Sequence, residues 1–182
     1  MVFRLLEGKS INLRIAEKED IPSLLQWLND VRFIGDYMSY PVQASKSQLE
    51  PQVLEHKLYG NEWVDFIVEK KDGTKIGFIA HFETHGKLKA IGYALLPSER
   101  KKGYGGEAIR IMVDYLFLSK DIVRIQAETH PQNIASQKAL EKAGFSKEGI
   151  IRQSFFSRGV WRDTALFSIL RQEWKQPKII GQ

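Results

Sequence analysis

The segment Arg100-Lys101-Lys102-Gly103-Tyr104-Gly105-Gly106 packs cations and glycines together directly ahead of Glu107-Ala108. Beyond it, Ile109, Met112, Val113 and Leu116 recur at i, i+3, i+4 and i+7, the spacing of an amphipathic helix. Glu107, Arg110 and Asp114 fall on the opposite, polar face of that helix. A basic, glycine-rich loop at a helix start has a definite physical use. The first backbone N–H groups of a helix lack internal partners, and the helix dipole adds partial positive charge there. Glycine lets the backbone approach an anion closely and adopt positive φ. The chemistry this implies is binding of a phosphate or pyrophosphate, with Arg100, Lys101 and Lys102 adding full charges. A tightly packed connector would use the same glycines. The dinucleotide pattern G-x-G-x-x-G is not met, and no Gly-Lys-Ser/Thr follows the loop as in a P-loop. What is met is Arg-x-x-Gly-x-Gly, at Arg100, Gly103 and Gly105.

The elements that must position this loop can be read from periodicity. Residues 88–96 form a strand leading into it, and residues 122–129 form a strand after the helix. Strand, helix and strand in that order suggest a right-handed parallel crossover. Upstream, residues 11–15 alternate as a first strand. Asp20 N-caps a helix carrying Leu24, Leu25, Leu28 and Val31, which ends near Gly35. Residues 37–44 read as loop. Residues 47–58 read as a second helix closed by Gly60, with Pro51 in its first turn or kinking it. Residues 63–70 and 75–82 are strands joined at Asp72-Gly73, a hairpin turn signal. Residues 84–87 make the next turn of an antiparallel meander. Residues 136–143 form a short helix, stopped by Gly144-Phe145 in the Schellman manner. Two last strands, at 150–156 and 164–170, meet at a turn around Arg158-Gly159. The expected organisation is one α/β domain over residues 1–174, with a frayed tail at 175–182.

Bulk properties exclude several classes. The chain has 182 residues, 43% hydrophobic and 27% charged, ordinary for a soluble globular domain. It has no cysteine, which removes disulfides, thiolate metal sites and a cysteine nucleophile. No His/Asp/Glu spacing suggests zinc, and His56 and His85 read as ordinary exposed residues. No apolar run is long enough to span a bilayer, and no signal-peptide h-region opens the chain. The cytoplasm is the expected location, with no membrane role. Net charge is +5, and the pI of about 9.3 would suit an anionic partner. The Lys and Arg residues are nevertheless dispersed, without the interleaved basic and aromatic patches of a nucleic-acid binder, so no direct nucleic-acid role is expected.

The loop and its surroundings resemble motif A of the GNAT N-acetyltransferases. The likeness continues through Asn133-Ile134-Ala135-Ser136, Glu141-Lys142-Ala143-Gly144-Phe145 and Glu148-Gly149. With Trp27-Leu28-Asn29-Asp30, Trp161-Arg162-Asp163 and Glu173-Trp174, it is similar to the ribosomal-protein-alanine (Rim-type) branch, in order along nearly the whole chain. The resemblance implies the GNAT (acyl-CoA N-acyltransferase) fold, an α/β arrangement with a mixed, mostly antiparallel sheet and a splayed parallel pair flanked by helices. It implies acetyl-CoA as co-substrate, no metal, and direct attack of an amine on the thioester. Its pyrophosphate would lie on Arg100, Lys101, Lys102, Gly103, Tyr104, Gly105 and Gly106. Its pantetheine would pair with the backbone around Ala94, Leu95 and Leu96, with an N–H near Leu95 facing the thioester oxygen.

The same resemblance places Asn133 and Ser136 at the pantetheine and sulfur. Asn133 is equally a plain helix N-cap. Ser136 either protonates the departing sulfur or caps the helix. The tyrosine acid that many relatives carry seven residues after the Asn is Leu140 here. Relatives often hold an acidic residue just before Ile-Gly-Tyr, where this chain has Ala90. The remaining bases are Glu83, Glu128, His81 and His130. Glu128 leads among these four, with a surface ion pair as its other, open role. Lys138 and Lys142 share a helix face, either reaching the 3′-phosphate or simply solvated. The acceptor expected from the resemblance is a protein or peptide N-terminus, with a ribosomal protein as partner. A small amine such as an amino acid, antibiotic or polyamine is the alternative, as is a non-catalytic acetyl-CoA-binding module. Phe33, Tyr37, Tyr40, Phe155, Phe156 and Trp161 either line the acceptor groove or belong to the core. The chain is expected to be a monomer or a homodimer.

Overall fold

The computed structural model describes residues 6–37, 43–58, 61–84 and 88–175. The elements in chain order are β1 (Leu6–Glu7), β2 (Ile11–Ile15), α1 (Ile21–Leu28), α2 (Val31–Ile34), α3 (Lys46–Glu55), β3 (Lys57–Leu58), β4 (Asn61–Lys70) and β5 (Lys75–Glu83). They continue as β6 (Lys89–Leu95), α4 (Tyr104–Ser119), β7 (Arg124–Thr129), α5 (Ile134–Lys142), β8 (Ser146–Ser157) and β9 (Val160–Leu170). The strands form one sheet in the order β1-β2-β4-β5-β6-β7-β9-β8, with β3 paired to β4. Only the β6–β7 pairing among these is parallel.

The strand period of two sends alternate residues to opposite faces. On one face, Val64, Phe66, Ile79, Ile91, Ile125, Ala127 and Phe167 pack against Ile109, Met112 and Leu116 of α4 and Leu140 of α5. On the other, Ile67, Phe78 and Ala94 pack against Leu24 and Trp27 of α1, Phe33 of α2, and Leu49 and Val53 of α3. The sheet is therefore covered on both sides, which explains its runs of consecutive apolar residues.

Several local readings need correction. The helix expected over the Leu24–Val31 region is two helices. Asn29 ends α1, and the Asp30 carboxylate accepts the Arg32 N–H to start α2, which stops at Gly35 with φ 65°. Asp20 precedes α1 but does not cap it through its side chain. Its buried carboxylate instead takes Arg14 at 2.7 Å and Lys75 at 2.7 Å. Burial alone would raise its pKa, yet these cations hold it down at about 2. Pro51 lies inside α3, which ends at His56 with φ 53°. Glu107 and Asp114 are buried, against the expected polar face of α4. Glu107 accepts the Ser10 N–H at 2.8 Å, and Asp114 accepts the Trp174 indole N–H at 2.7 Å. The β1–β2 turn and the C-terminal tryptophan thus cover a helix flank whose polar residues looked solvated.

Other readings hold. Gly144 has φ 98°, with Phe145 N–H on Leu140 C=O and Gly144 N–H on Glu141 C=O, the Schellman pattern. Arg158 and Gly159 both have positive φ at the β8–β9 turn. The helix stop expected at Gly60, residues 85–87 of the expected 84–87 turn, residues 38–42 of the expected 37–44 loop, with Tyr40, and the tail from 176 onward lie outside the described residues. No helix among the described residues is long and apolar enough to cross a membrane.

The feature that makes a site is the end of the parallel pairing. β6 and β7 are in register only at Lys89–Ile125, Ala90–Gln126 and Ile91–Ala127. Past Ile91 the strands part, while β6 stays paired to β5 as far as Leu95 and β7 to β9 as far as Thr129. A wedge opens between them toward the N-terminus of α4.

Candidate active site

The mouth of the wedge is the loop at residues 96–103. Lys101 and Gly103 adopt left-handed backbone with φ 62° and 90°. That geometry turns the chain sharply into α4, whose N-terminus carries no side-chain cap. Glu107 N–H is the first to find its helical partner, Gly103 C=O. The N–H groups of Tyr104, Gly105 and Gly106 are left to face outward. A Cβ on Gly103 would meet nothing within 4 Å, so this glycine is required by its φ and not by crowding. These features fit an anion.

The three cations behave differently from one another. Lys101 is exposed. Lys102 donates to Glu99 at 3.1 Å, and Glu99 also takes Lys70. Arg100 is turned inward, with Nε on Leu95 C=O at 3.0 Å and Nη2 on Phe33 C=O at 2.5 Å. Its guanidinium ties the loop to α2, so it acts here as a brace for the site's two halves.

Parity decides which β6 groups line the wedge. Leu96 N–H donates to Ile76 C=O on the β5 side, and antiparallel ladders alternate. The backbone polar groups of Ala94 and Leu96 therefore point to β5. Those of Tyr93 and Leu95 point into the wedge, where β7 no longer supplies partners. This corrects the expectation that the backbone of Ala94 and Leu96 lines the cleft and leaves Leu95 as its central donor. The Leu95 carbonyl is taken by Arg100, while its N–H remains directed at the gap.

The side chains fall on two faces of the wedge. On the α5 face, the Tyr93 hydroxyl and Ser136 Oγ are 2.9 Å apart, and either can donate. Burial raises the Tyr93 pKa, against a smaller lowering by Ser136, so the phenol keeps its proton. Asn133 Oδ1 accepts the Ser136 N–H at 3.2 Å, so the N-cap role is present and its amide NH₂ stays available. Tyr93 was not singled out from sequence. It lies 43 positions from Ser136, and its only signal was its place in the Ile-Gly-Tyr strand end. Leu140, at the position of the missing tyrosine, is fully buried in the core.

On the opposite face, Glu128 stands beside the opening, with Gln126 before it and His130 after it. Burial pushes its pKa up, and no cation enters its environment among the described residues. The ion pair considered for it is absent there. The other candidate bases separate cleanly. Glu83 sits opposite Lys89 at the closed end of the β6–β7 pair. His81 is buried on the α4 face against Phe66 and Tyr115, and burial drives its pKa down to about 4. Neither reaches the wedge.

The wall beyond Glu128 joins distant segments. Arg158, at the β8–β9 turn, binds Asp36 at 2.8 Å and Gly35 C=O at 2.9 Å. Tyr37 packs on His130 with ring centroids 5.2 Å apart. Phe156 and Trp161 pack edge to face and are exposed, whereas Phe33 is core, stacked on Trp27 and Phe78. Among the described residues no cluster of His, Asp and Glu could hold a metal ion.

An open parallel pair, an uncapped glycine-rich helix start at its mouth and polar groups on both faces thus come together at one place in the fold. Residues 10–146 match the model of the acetyltransferase (GNAT) domain family. The probable N-acetyltransferase YjcK of Bacillus subtilis is 32% identical over 183 residues, spanning 94% of this chain and all of that one. The spermidine N-acetyltransferase of Vibrio cholerae, solved with CoA and spermine, superposes with TM-score 0.77 at 23% identity, covering 90% of this chain and 97% of that one. RimL, a ribosomal L7/L12 α-N-protein acetyltransferase solved with coenzyme A, gives TM-score 0.76 at 19% identity, covering 90% and 95%. The chain belongs to the GNAT family and is an acetyl-CoA-dependent N-acetyltransferase.

Proposed function

We propose that this acetyltransferase modifies the α-amine of a protein or peptide N-terminus. The observation that carries the reading is the charge of the acceptor wall. Its carboxylates are mostly engaged: Asp30 with Arg32, Asp36 with Arg158, and Asp163 with the Gln153 N–H. A polyamine needs several uncompensated carboxylates, and among the described residues of this wall only Glu128 and Asp163 are without a cation in an ion pair. A single weak base suits an α-amine, whose pKa of about 8 leaves a useful neutral fraction at pH 7, better than a lysine amine near 10.4. RimL, with its α-N-protein substrate, shares the fold, and the motifs along this chain resemble those of the Rim-type branch.

Bound acetyl-CoA supplies an activated acyl carbon. The N–H groups of Tyr104, Gly105 and Gly106 would hold its pyrophosphate, helped by Lys101 and Lys102. The Leu95 N–H would meet the acyl oxygen, and a donor fixed there favours developing negative charge. The Asn133 amide NH₂ would hold the pantetheine arm. Glu128 takes the proton of the attacking amine, its raised pKa bringing it nearer the working pH. Tyr93 and Ser136, on the opposite face, deliver a proton to the departing sulfur. Entry of the amine and exit of the thiol thus use different faces of the wedge. A ribosomal protein is the partner suggested by the Rim-type likeness.

The test is thiol release from acetyl-CoA over a matched panel. It compares peptides with free N-termini, the same peptides blocked at the N-terminus but carrying a lysine, spermidine, and an aminoglycoside. Free N-terminal peptides are expected to give kcat/KM at least about tenfold above the rest, a difference of roughly 1.4 kcal/mol. A preference for spermidine or the aminoglycoside would replace this reading with a small-amine enzyme.

A further inference from the structure

His130 follows Glu128 on the same strand face, just past the end of β7. Two residues along a strand separate side chains by roughly 6.5 Å. The ring is held from several sides. Tyr37 packs against it at 5.2 Å, and the Gln132 N–H donates to Nδ1 at 3.1 Å. Burial, and after it Arg162, lowers its pKa, and Asp163 opposes them. A backbone N–H aimed at Nδ1 is compatible only with a ring whose Nδ1 carries no proton. In the neutral imidazole the proton then sits on Nε2. His130 is therefore a fixed donor and cannot take up the amine's proton through the nitrogen left free.

We propose that His130 orients the acceptor by donating from Nε2 to the first carbonyl oxygen of the substrate, the one adjacent to the carbon bearing the amine. In a peptide N-terminus the amine and that oxygen are a fixed short distance apart. Glu128 and His130, on one strand face with one residue between them, would offer an acceptor to the amine and a donor to that oxygen. The class of substrate selected is an α-amino acyl group, as opposed to an amine on a plain alkyl chain. This inference rests on the proposed α-amine specificity and deepens it.

The test compares wild type, His130→Phe and His130→Gln on an N-terminal peptide and on a monoamine lacking any carbonyl. Phenylalanine keeps the ring against Tyr37 and removes the donor, whereas glutamine restores a donor. For His130→Phe, KM for the peptide should rise about tenfold, with kcat and its pH profile little changed and the monoamine unaffected. His130→Gln should recover most of the loss. A collapse of kcat on both substrates, with loss of the acidic limb of the pH profile, would make His130 the base and overturn the proposal. Equal losses on both substrates without rescue by glutamine would reduce it to a packing residue. A wild type that prefers peptides, with that preference unchanged in His130→Phe, overturns the His130 role alone. A wild type with no preference for peptides overturns the α-amine reading beneath it.

Discussion

Gly106→Glu weakens acetyl-CoA binding by about a hundredfold while the protein stays folded. Gly106 is in the first turn of α4, among the N–H groups that face outward. A Cβ built there lies 3.5 Å from Arg110 Nη1, with nothing closer, so the new side chain has room and an ion-pair partner one turn away. A glutamate in a first helical turn is favourable to the helix itself. The same charge occupies the positive end of the dipole in place of the pyrophosphate and repels it. At an effective dielectric of about 20, two like charges some 5 Å apart cost about 3 kcal/mol, which is the expected hundredfold. Gly106→Gln, of the same size without the charge, should lose much less. Calorimetric titration with acetyl-CoA reads both variants. Unchanged affinity in folded Gly106→Glu would remove the phosphate role from this helix start.

Tyr93→Phe and Ser136→Ala should each lower kcat by about a hundredfold, with acetyl-CoA affinity within about threefold of wild type. The two hydroxyls form one hydrogen-bonded pair in the wedge, and neither has another donor role in the described structure. Because they act as a unit, the double variant should be little worse than either single one. The assignment carries a second readout. Donors of acetyl from more acidic thiols need less protonation on departure, so the loss in each variant should shrink with them. A loss that ignores the thiol would place these residues in positioning instead of proton delivery. Unaltered rates in Ser136→Ala, with Tyr93→Phe slow, would leave Tyr93 as the acid and Ser136 as a helix residue.

Why Ser136 was legible from sequence and Tyr93 was not has a physical explanation. Ser136 sits in a contiguous motif whose order survives as local structure, Asn133 capping the helix that carries it. Tyr93 reaches it only through the β6–α4–β7–α5 crossover, and single-sequence periodicity does not say which strand end will part from its neighbour. The glycine loop was readable for the same local reason as Asn133. Its left-handed Gly103 and uncapped helix start are properties of a few consecutive residues. The donor parity of β6 was not readable, because it depends on which residue of β5 pairs with Leu96. Arg100 looked like a free cation until the fold brought Phe33 beside it. Glu107 and Asp114 looked solvated because their covers, the Ser10 turn and Trp174, are far away in sequence. The wall beyond Glu128 was the least legible, being closed by Arg158 on Asp36 and by Tyr37 on His130.

Acetyl-CoA is expected to lie in the wedge between β6 and β7, addressed by alternate backbone groups. The measurement that tests it most directly is an NMR titration of backbone amides with acetyl-CoA. The amides of Tyr93, Leu95, Tyr104, Gly105 and Gly106 should show the large shifts of newly formed hydrogen bonds, while those of Ala94 and Leu96, already directed at β5, should move little. Equal shifts along β6, or shifts concentrated away from the wedge and the α4 start, would contradict it.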